Sequence, residues 1–254
     1  MGGRQDAPHP QFSEQLCIVL VNPVHDGNIG AVARSMLNFG IRDLRVVGRQ
    51  NPWTEEVRNR AKNAQIVLEE ATLHASFDKA VSDCSVVVGT SGKREGGNKT
   101  ELRHFIVPEE LPQRLEGIGG RVALVFGPED KGLINEELRA CDLLVTIPTW
   151  EGYPILNLSH AVAILCFTWF DKSAGDAEAF YEERLISSEL RRRLRTEVKR
   201  LVASMPTKNH RRRGIEETLL RVIMRGLPKE DEIHRLLAVV TEAADAFEQN
   251  NPEG

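Results

Sequence analysis

Hydrophobic and polar positions divide the chain into two unlike parts. The first opens on Leu16-Cys-Ile-Val-Leu-Val21, a near-continuous apolar run of the kind seen in a parallel strand buried on both faces. Next, Ile29, Val32, Ala33, Met36 and Leu37 recur at helical spacing, with Asp26 or Asn28 as cap and Gly40 as stop. Apolar runs predict further strands at 44–47, 85–92, 122–126 and 143–147. Pro52-Trp-Thr-Glu55 starts a helix with Thr54 as its cap, and helical spacing recurs at 76–83, 107–115, 135–141 and 156–171. Strands alternating with helices specify an α/β domain with a mostly parallel sheet. Residues 172–177 form a short polar linker. Beyond it the pattern is helical alone, at 178–204, 214–225 and 229–248, with Pro206 and Pro228 between the segments. The expected organisation is an α/β domain over residues 14–172 and a small all-α extension over 178–249.

Composition narrows the class. With 254 residues, 41% hydrophobic and 28% charged, the chain suits a soluble globular protein. The most apolar stretch, 161–170, is too short to cross a bilayer. Residues 1–13 are polar and lack the apolar segment of a secretory leader. Cys17, Cys84, Cys141 and Cys166 are scattered in apolar surroundings, with no Cys-x-x-Cys pair. They read as reduced core residues of a cytoplasmic protein, which argues against zinc or another metal. The net charge of −4 conceals an asymmetry. Residues 184–235 hold fifteen Lys and Arg against seven Asp and Glu, leaving 18 basic against 30 acidic residues elsewhere. Such a basic segment suits a polyanion partner, or a solvated helix face.

Candidate chemistry gathers in three loops beside apolar runs: Asn22 to Arg34, Leu124 to Leu133 and Ile147 to Asn157. Their glycines permit close approach of a ligand to the backbone, and exposed main-chain groups there can read a flat heterocycle. For any one loop, ordinary turn glycines are the competing reading. Three at strand ends specify a ligand site at one sheet edge. The first also sets Arg34 one turn inside its helix. The full Gly-x-Gly-x-x-Gly of dinucleotide-binding proteins is missing, as is a P-loop.

Asp26-Gly-Asn-Ile-Gly-Ala-Val-Ala-Arg34, Phe126-Gly-Pro-Glu-Asp-Lys-Gly-Leu133 with Asn135-Glu-Glu-Leu138, and Ile147-Pro with Leu156-Asn-Leu158 resemble the three motifs of the SpoU/TrmH-type RNA 2′-O-ribose methyltransferases of the SPOUT superfamily. The resemblance covers residues 16–170. It implies a deep trefoil knot in the C-terminal part of the α/β domain, a rare exception to the rule against threaded loops. It further implies a homodimer, and S-adenosylmethionine held mainly by backbone at Thr90, Ser91, Gly92, Gly127, Ile147, Pro154, Ile155 and Leu156. A domain starting near the N-terminus and a basic helical extension are similar to a tRNA-modifying branch that acts on nucleotide 32 of the anticodon loop.

On the matched positions the resemblance gives Arg34 the catalytic role. Arginine keeps its proton at ordinary pH. The conservative role is to bind phosphate and stabilise the developing alkoxide, while phosphate or water takes the proton. Asn28 caps its helix or orients substrate. Glu129 bonds Arg34 or RNA, or serves a turn, and Asn157 fixes loop geometry. Lys93 and Arg94 are placed to close on RNA. His25 and His160 read as packing or capping residues. Arg191, Arg192, Arg193, Arg195, Lys199, Arg200, Lys208, Arg211, Arg212 and Arg213 supply phosphate contacts, with some paired to Glu189, Glu197, Glu216 and Glu217. There is one departure: Ile155 stands where many members carry serine, so Ser159 or Tyr153 would have to supply that hydroxyl. The competing functions are a ribosomal-RNA ribose methyltransferase, a catalytically silent knotted RNA-binding protein and a dinucleotide-dependent oxidoreductase. The intact Arg34 argues against the second, and the incomplete glycine fingerprint against the third.

Overall fold

In the computed structural model, which describes residues 10–50, 53–92, 105–173, 187–226 and 228–250, seven strands form one sheet. They are β1 (Leu16–Val21), β2 (Asp43–Val47), β3 (Thr72–His74), β4 (Cys84–Thr90), β5 (Phe105–Ile106), β6 (Arg121–Phe126) and β7 (Leu143–Val145). Their order is β3-β2-β1-β6-β4-β7-β5 and every pairing is parallel, where a mostly parallel sheet was expected. β1 is buried along its whole length. Its side chains alternate between two cores, Leu16, Ile18 and Leu20 on one face and Cys17, Val19 and Val21 on the other. This explains its unbroken apolar run. β3 and β5 have three and two residues, too few to show a period, which is why the pattern missed them.

The helices of this part are α1 (Asp26–Asn38), α2 (Glu55–Ala61), α3 (Gln65–Glu70), α4 (Phe77–Ala80), α5 (Leu111–Arg114), α6 (Asn135–Ala140) and α7 (Leu158–Ser173). Thr54 caps α2 by accepting from Val57 N, as expected. Gly40, at φ +75°, lets the chain turn after α1. The cap of α1 differs from expectation. His25 occupies the N-cap position without a side-chain bond. Asp26 instead accepts from Arg49 at 2.6 Å and from Thr54 at 2.6 Å. The segment at 76–83 contains only α4, with Ser76 as its cap. The segment at 107–115 is a 3₁₀ turn, Pro108–Glu110, leading into α5.

A buried charge sits at the amino end of the sheet. Arg45, 5% exposed on β2, donates to Asp83 at 2.5 and 2.9 Å, to Asp43 at 2.9 Å and to Ala80 O at 2.7 Å. These bonds from Arg45, against a smaller opposing effect of burial, hold the Asp83 carboxyl at about 2. The unfolded carboxyl titrates near 4. Asp83 thus stabilises the fold fully above that value, and its contribution fades as pH falls towards 2. Asp83→Asn is expected to lower the urea midpoint at neutral pH, with the gap to wild type closing between pH 4 and 2. A gap that stays constant across that range would sever the carboxylate from the folding equilibrium.

The extension consists of α8 (Ser188–Ser204), α9 (Asn209–Arg225) and α10 (Glu230–Asn250). Leu190, Leu194, Val198 and Val202 recur every fourth residue on α8 and meet Leu220 and Met224 of α9 and Ile233, Leu237 and Val240 of α10 in a core of their own. α9 begins five residues before the expected 214. The expected linker, from 174 on, and the start of the expected 178–204 helix lie outside the described residues.

Candidate active site

The loops after β1, β4, β6 and β7 leave the carboxyl edge of one parallel sheet, the edge at which open α/β sheets bind ligands. Three of them are tied together by side chains. Glu129, from the loop after β6, accepts from Val24 N at 2.8 Å, His25 N at 3.2 Å and Asn28 Nδ2 at 2.7 Å. Asn28 Oδ1 in turn accepts from Asn157 Nδ2 at 3.0 Å. Asn157 Oδ1 accepts from Ser159 N at 2.9 Å and Ser159 Oγ at 2.8 Å, capping the start of α7. One carboxylate and two amides thereby connect the loop after β1, the loop after β6 and the entry to α7. Partial burial opposes the charge on Glu129, but bonds from Asn28, Val24, its own backbone and His25 outweigh it and lower its pKa.

Beside this bridge lies a cavity of about 490 Å³, within the range of small-molecule sites. All eight residues expected to hold the cofactor line it: Thr90, Ser91, Gly92, Gly127, Ile147, Pro154, Ile155 and Leu156. Ile147, Ile155, Leu156, Leu158 and Ala161 give it apolar walls, and the 127–132 loop gives it a polar rim. That loop closes on itself through Gly132 N to Pro128 O at 2.8 Å. A Cβ on Gly127 would fall 2.2 Å from Gly132 C and Leu133 N, so the turn requires glycine there. Ile147, Ile155 and Leu156 donate no backbone hydrogen bond to a described residue. Apolar walls beside unspent main-chain donors form a cradle suited to a flat heterocycle.

Other expected residues fall differently. Arg34 is exposed on α1, makes no ion pair or hydrogen bond with a described residue, and is not among the residues lining the cavity. It lies eight residues beyond Asp26, more than two turns into α1 rather than one. Glu129 bonds the loop after β1 and not Arg34. Asn28 bridges loops rather than capping α1, because its amide faces Glu129 and Asn157. Gly30 serves helix packing, since a Cβ there would stand 2.2 Å from Val57 O of α2. His25 and His160 are exposed, so neither packs in the core. Ser159 spends its hydroxyl on Asn157, and Tyr153 is 80% exposed and does not line the cavity. Neither replaces the serine missing at Ile155, whose Cδ1 would sit 3.1 Å from a Cβ on Gly92. Lys93 and Arg94 lie outside the described residues. The cavity also takes in Asp130, Lys131 and Gly132, which sequence reasoning left out though they stand inside the second motif.

Several arginines of the extension are not available for RNA. Arg191 Nε and Arg195 Nη2 each bond Asp142 at 2.7 Å, and the Asp142 side chain is fully buried. Arg200 pairs with Glu197, Asp245 and Glu248, and Arg213 with Glu217. Arg192, Arg193, Lys199, Lys208 and Arg211 are exposed and form no ion pair with a described residue.

The chain matches the model of the SpoU rRNA Methylase family over residues 15–167. It is 44% identical over 157 residues to the tRNA (cytidine-2′-O-)-methyltransferase TrmJ of Methanocaldococcus jannaschii, covering 62% of this chain and 68% of the relative. It is 37% identical over 158 residues to the tRNA (cytidine/uridine/adenosine-2′-O-)-methyltransferase TrmJ of Pseudomonas aeruginosa, spanning 61% of this chain and 60% of that protein. The crystal structure of TrmJ from Z. mobilis superposes with a TM-score of 0.69 at 27% identity, over 89% of this chain and 97% of that one. With the second and third motif loops lining one cavity, the first joined to them through Asn28, and the family match spanning more than half its length, the chain belongs to the SpoU rRNA methylase family.

Proposed function

We propose that the chain transfers the methyl group of S-adenosylmethionine to a ribose 2′-hydroxyl of tRNA, at nucleotide 32 of the anticodon loop. The Glu129–Asn28–Asn157 bridge carries this reading, because it joins the three motif loops beside a cavity of fitting size and lining. The match to the TrmJ enzymes of M. jannaschii and P. aeruginosa supports tRNA as substrate. In this reading the catalytic unit is residues 14–172, its C-terminal part knotted, and residues 178–249 are an RNA-binding extension. It operates in the cytoplasm as a homodimer; Phe167, 54% exposed on α7, offers apolar surface for a second copy. No described helix is long and apolar enough to cross a membrane.

When bound, S-adenosylmethionine supplies an electrophilic methyl group on a sulfonium. Thr90, Ser91, Gly92, Gly127, Ile147, Pro154, Ile155 and Leu156 hold it. Glu129, Asp130 and Glu136 outnumber Lys131 among the cavity residues, a balance that suits a cationic ligand. Asn28 and Asn157 fix the loops, and Asn28 retains one hydrogen and one lone pair for a ribose oxygen. Arg34 binds phosphate and steadies charge developing on the 2′-oxygen. Lys93 and Arg94 add phosphate contacts.

Methyl transfer to unmodified tRNA transcripts, with the modified ribose mapped, tests the proposal. A 2′-O-methyl group at nucleotide 32 is the expected product. Transfer to ribosomal RNA but to no tRNA would refute the substrate, and a base-methylated product would refute the ribose chemistry.

A further inference from the structure

Exposed apolar side chains gather around the mouth of the cavity beside the Glu129 bridge. Ile134 and Ile155 line it and are each about half exposed. Val24, also half exposed, donates its N–H to Glu129, another lining residue. Past Ile155 the rim continues into Tyr153 and Trp150. At 80% and 78% they are the most exposed large hydrophobic side chains among the described residues. Tyr153 directly precedes Pro154 of the cavity wall, with about 3.8 Å between their Cα atoms.

The loop that carries the two rings is braced. Thr149 Oγ1 donates to Pro154 O at 2.9 Å and closes its neck. Tyr153 N donates to Trp150 O at 3.1 Å, which makes residues 150–153 a β-turn. Glycine at 152 leaves room for the indole, since a Cβ there would fall 2.4, 2.6 and 2.7 Å from Cη2, Cζ2 and Cζ3 of Trp150. One side of the indole therefore rests on the turn while the rest stays open. Neither the indole N–H nor the Tyr153 hydroxyl bonds a described residue, and neither ring stacks on another described aromatic ring. The fold uses neither ring in its own core.

A nucleobase and an apolar protein face are the two occupants such rings could take, and the surroundings favour the base. Residues 147–157 contain no Lys or Arg and one Glu, so this loop has nothing for phosphate; what it offers is ring faces. Glu151, exposed between the two rings, is a residue type depleted from the cores of protein interfaces. The apolar surface assigned above to a second copy is at Phe167, roughly 14 Å along α7 from its start. Methylation itself brings a base to the rim. A ribose whose 2′-hydroxyl enters the cavity carries its base with it, and a base drawn from its stack loses the faces of its neighbours. Aromatic side chains replace those faces.

We propose that Trp150 and Tyr153 form a stacking platform for the nucleobase of the methylated nucleotide. The inference rests on the RNA-methylating reading and adds a substrate-positioning pair to it. Every base has a π-face, so the platform holds the nucleotide without choosing among bases.

The test is binding of anticodon stem-loop RNAs by the full chain: one intact, and a set each abasic at a single loop nucleotide with its ribose kept. Wild type should lose about ten-fold in affinity at one abasic position, the one it methylates. Trp150→Ala with Tyr153→Ala should bind the intact RNA about ten-fold more weakly and be indifferent to that position. Trp150→Phe with Tyr153→Phe should retain affinity, and Trp150→Leu with Tyr153→Leu should lose it. S-adenosylmethionine affinity should not move, because neither residue lines the cavity. RNA should quench tryptophan emission through Trp150, since Trp53 and Trp169 pack against the core, and Trp150→Phe should abolish the quench. An alanine pair that melts as wild type and binds every RNA as wild type would overturn the platform. So would a leucine pair with wild-type affinity, which would indicate apolar cover rather than stacking. An alanine pair that is monomeric where wild type is dimeric would give the rings to a second copy instead. Binding is read without turnover. A chain that shows the abasic effect but transfers no methyl group would sink the proposed reaction and leave the platform standing; one that methylates the intact loop with no abasic effect would do the reverse.

Discussion

Arg34→Ala is expected to lower methyl transfer to tRNA by about 10²–10³-fold, the usual effect of removing one donor aimed at developing negative charge. S-adenosylmethionine affinity should stay as in wild type, because Arg34 is absent from the cavity lining. Its exposed guanidinium on α1, which pairs with no described residue, leaves stability almost unchanged on removal. Arg34→Lys should recover little, since an ammonium cannot reproduce the planar fork that grips a phosphate and an oxyanion together. Calorimetry for the donor and single-turnover transfer for the chemistry separate these effects. A large loss of donor affinity, or full activity in the alanine variant, would remove Arg34 from the role assigned to it.

The cavity beside the Glu129 bridge was legible in the sequence through the family motifs and the apolar runs next to them. Three of its walls follow the ends of β4, β6 and β7, where apolar runs stop at Gly or Pro, while residues 154–156 and the starts of α6 and α7 complete it. The eight residues that the family resemblance implied as cofactor contacts all meet around this one space. What the sequence concealed is the long-range bonding. Glu129 and Asn28 are 101 positions apart and Asn157 and Asn28 are 129 apart, and no local pattern marks such partners. Gly30 shows the opposite error: a glycine inside a ligand motif whose close contact is Val57 of the neighbouring helix.

The extension misled in a more instructive way. A run of arginines on an amphipathic helix has the same appearance in sequence whether it faces solvent, RNA or a carboxylate. The period of Leu190, Leu194, Val198 and Val202 was readable, but the acid beneath the arginines belongs to the other part of the chain. Asp142 stands before β7 with nothing local to mark it, yet its burial decides which arginines are free.

Asp142→Ala should therefore be among the most damaging single substitutions outside the candidate active site. The carboxylate accepts Val87 N at 2.8 Å as well as Arg191 and Arg195, and its side chain has no exposed surface. Truncation leaves Arg191, itself 8% exposed, as a buried charge without its counter-ion. Breaking such a pair costs about 3–5 kcal/mol, which for a chain of this size corresponds to a fall in Tm of roughly 6–20 °C. Replacing all three members, Asp142→Leu with Arg191→Met and Arg195→Met, should recover most of the loss, because it removes the stranded charges. Recovery should stop short of wild type, since Val87 N–H stays unpaired. Thermal melts of the two variants check both statements. If Asp142→Ala cost less than about 1 kcal/mol, the contact would be no stronger than a surface ion pair. The extension would then be attached to the sheet by something other than this carboxylate.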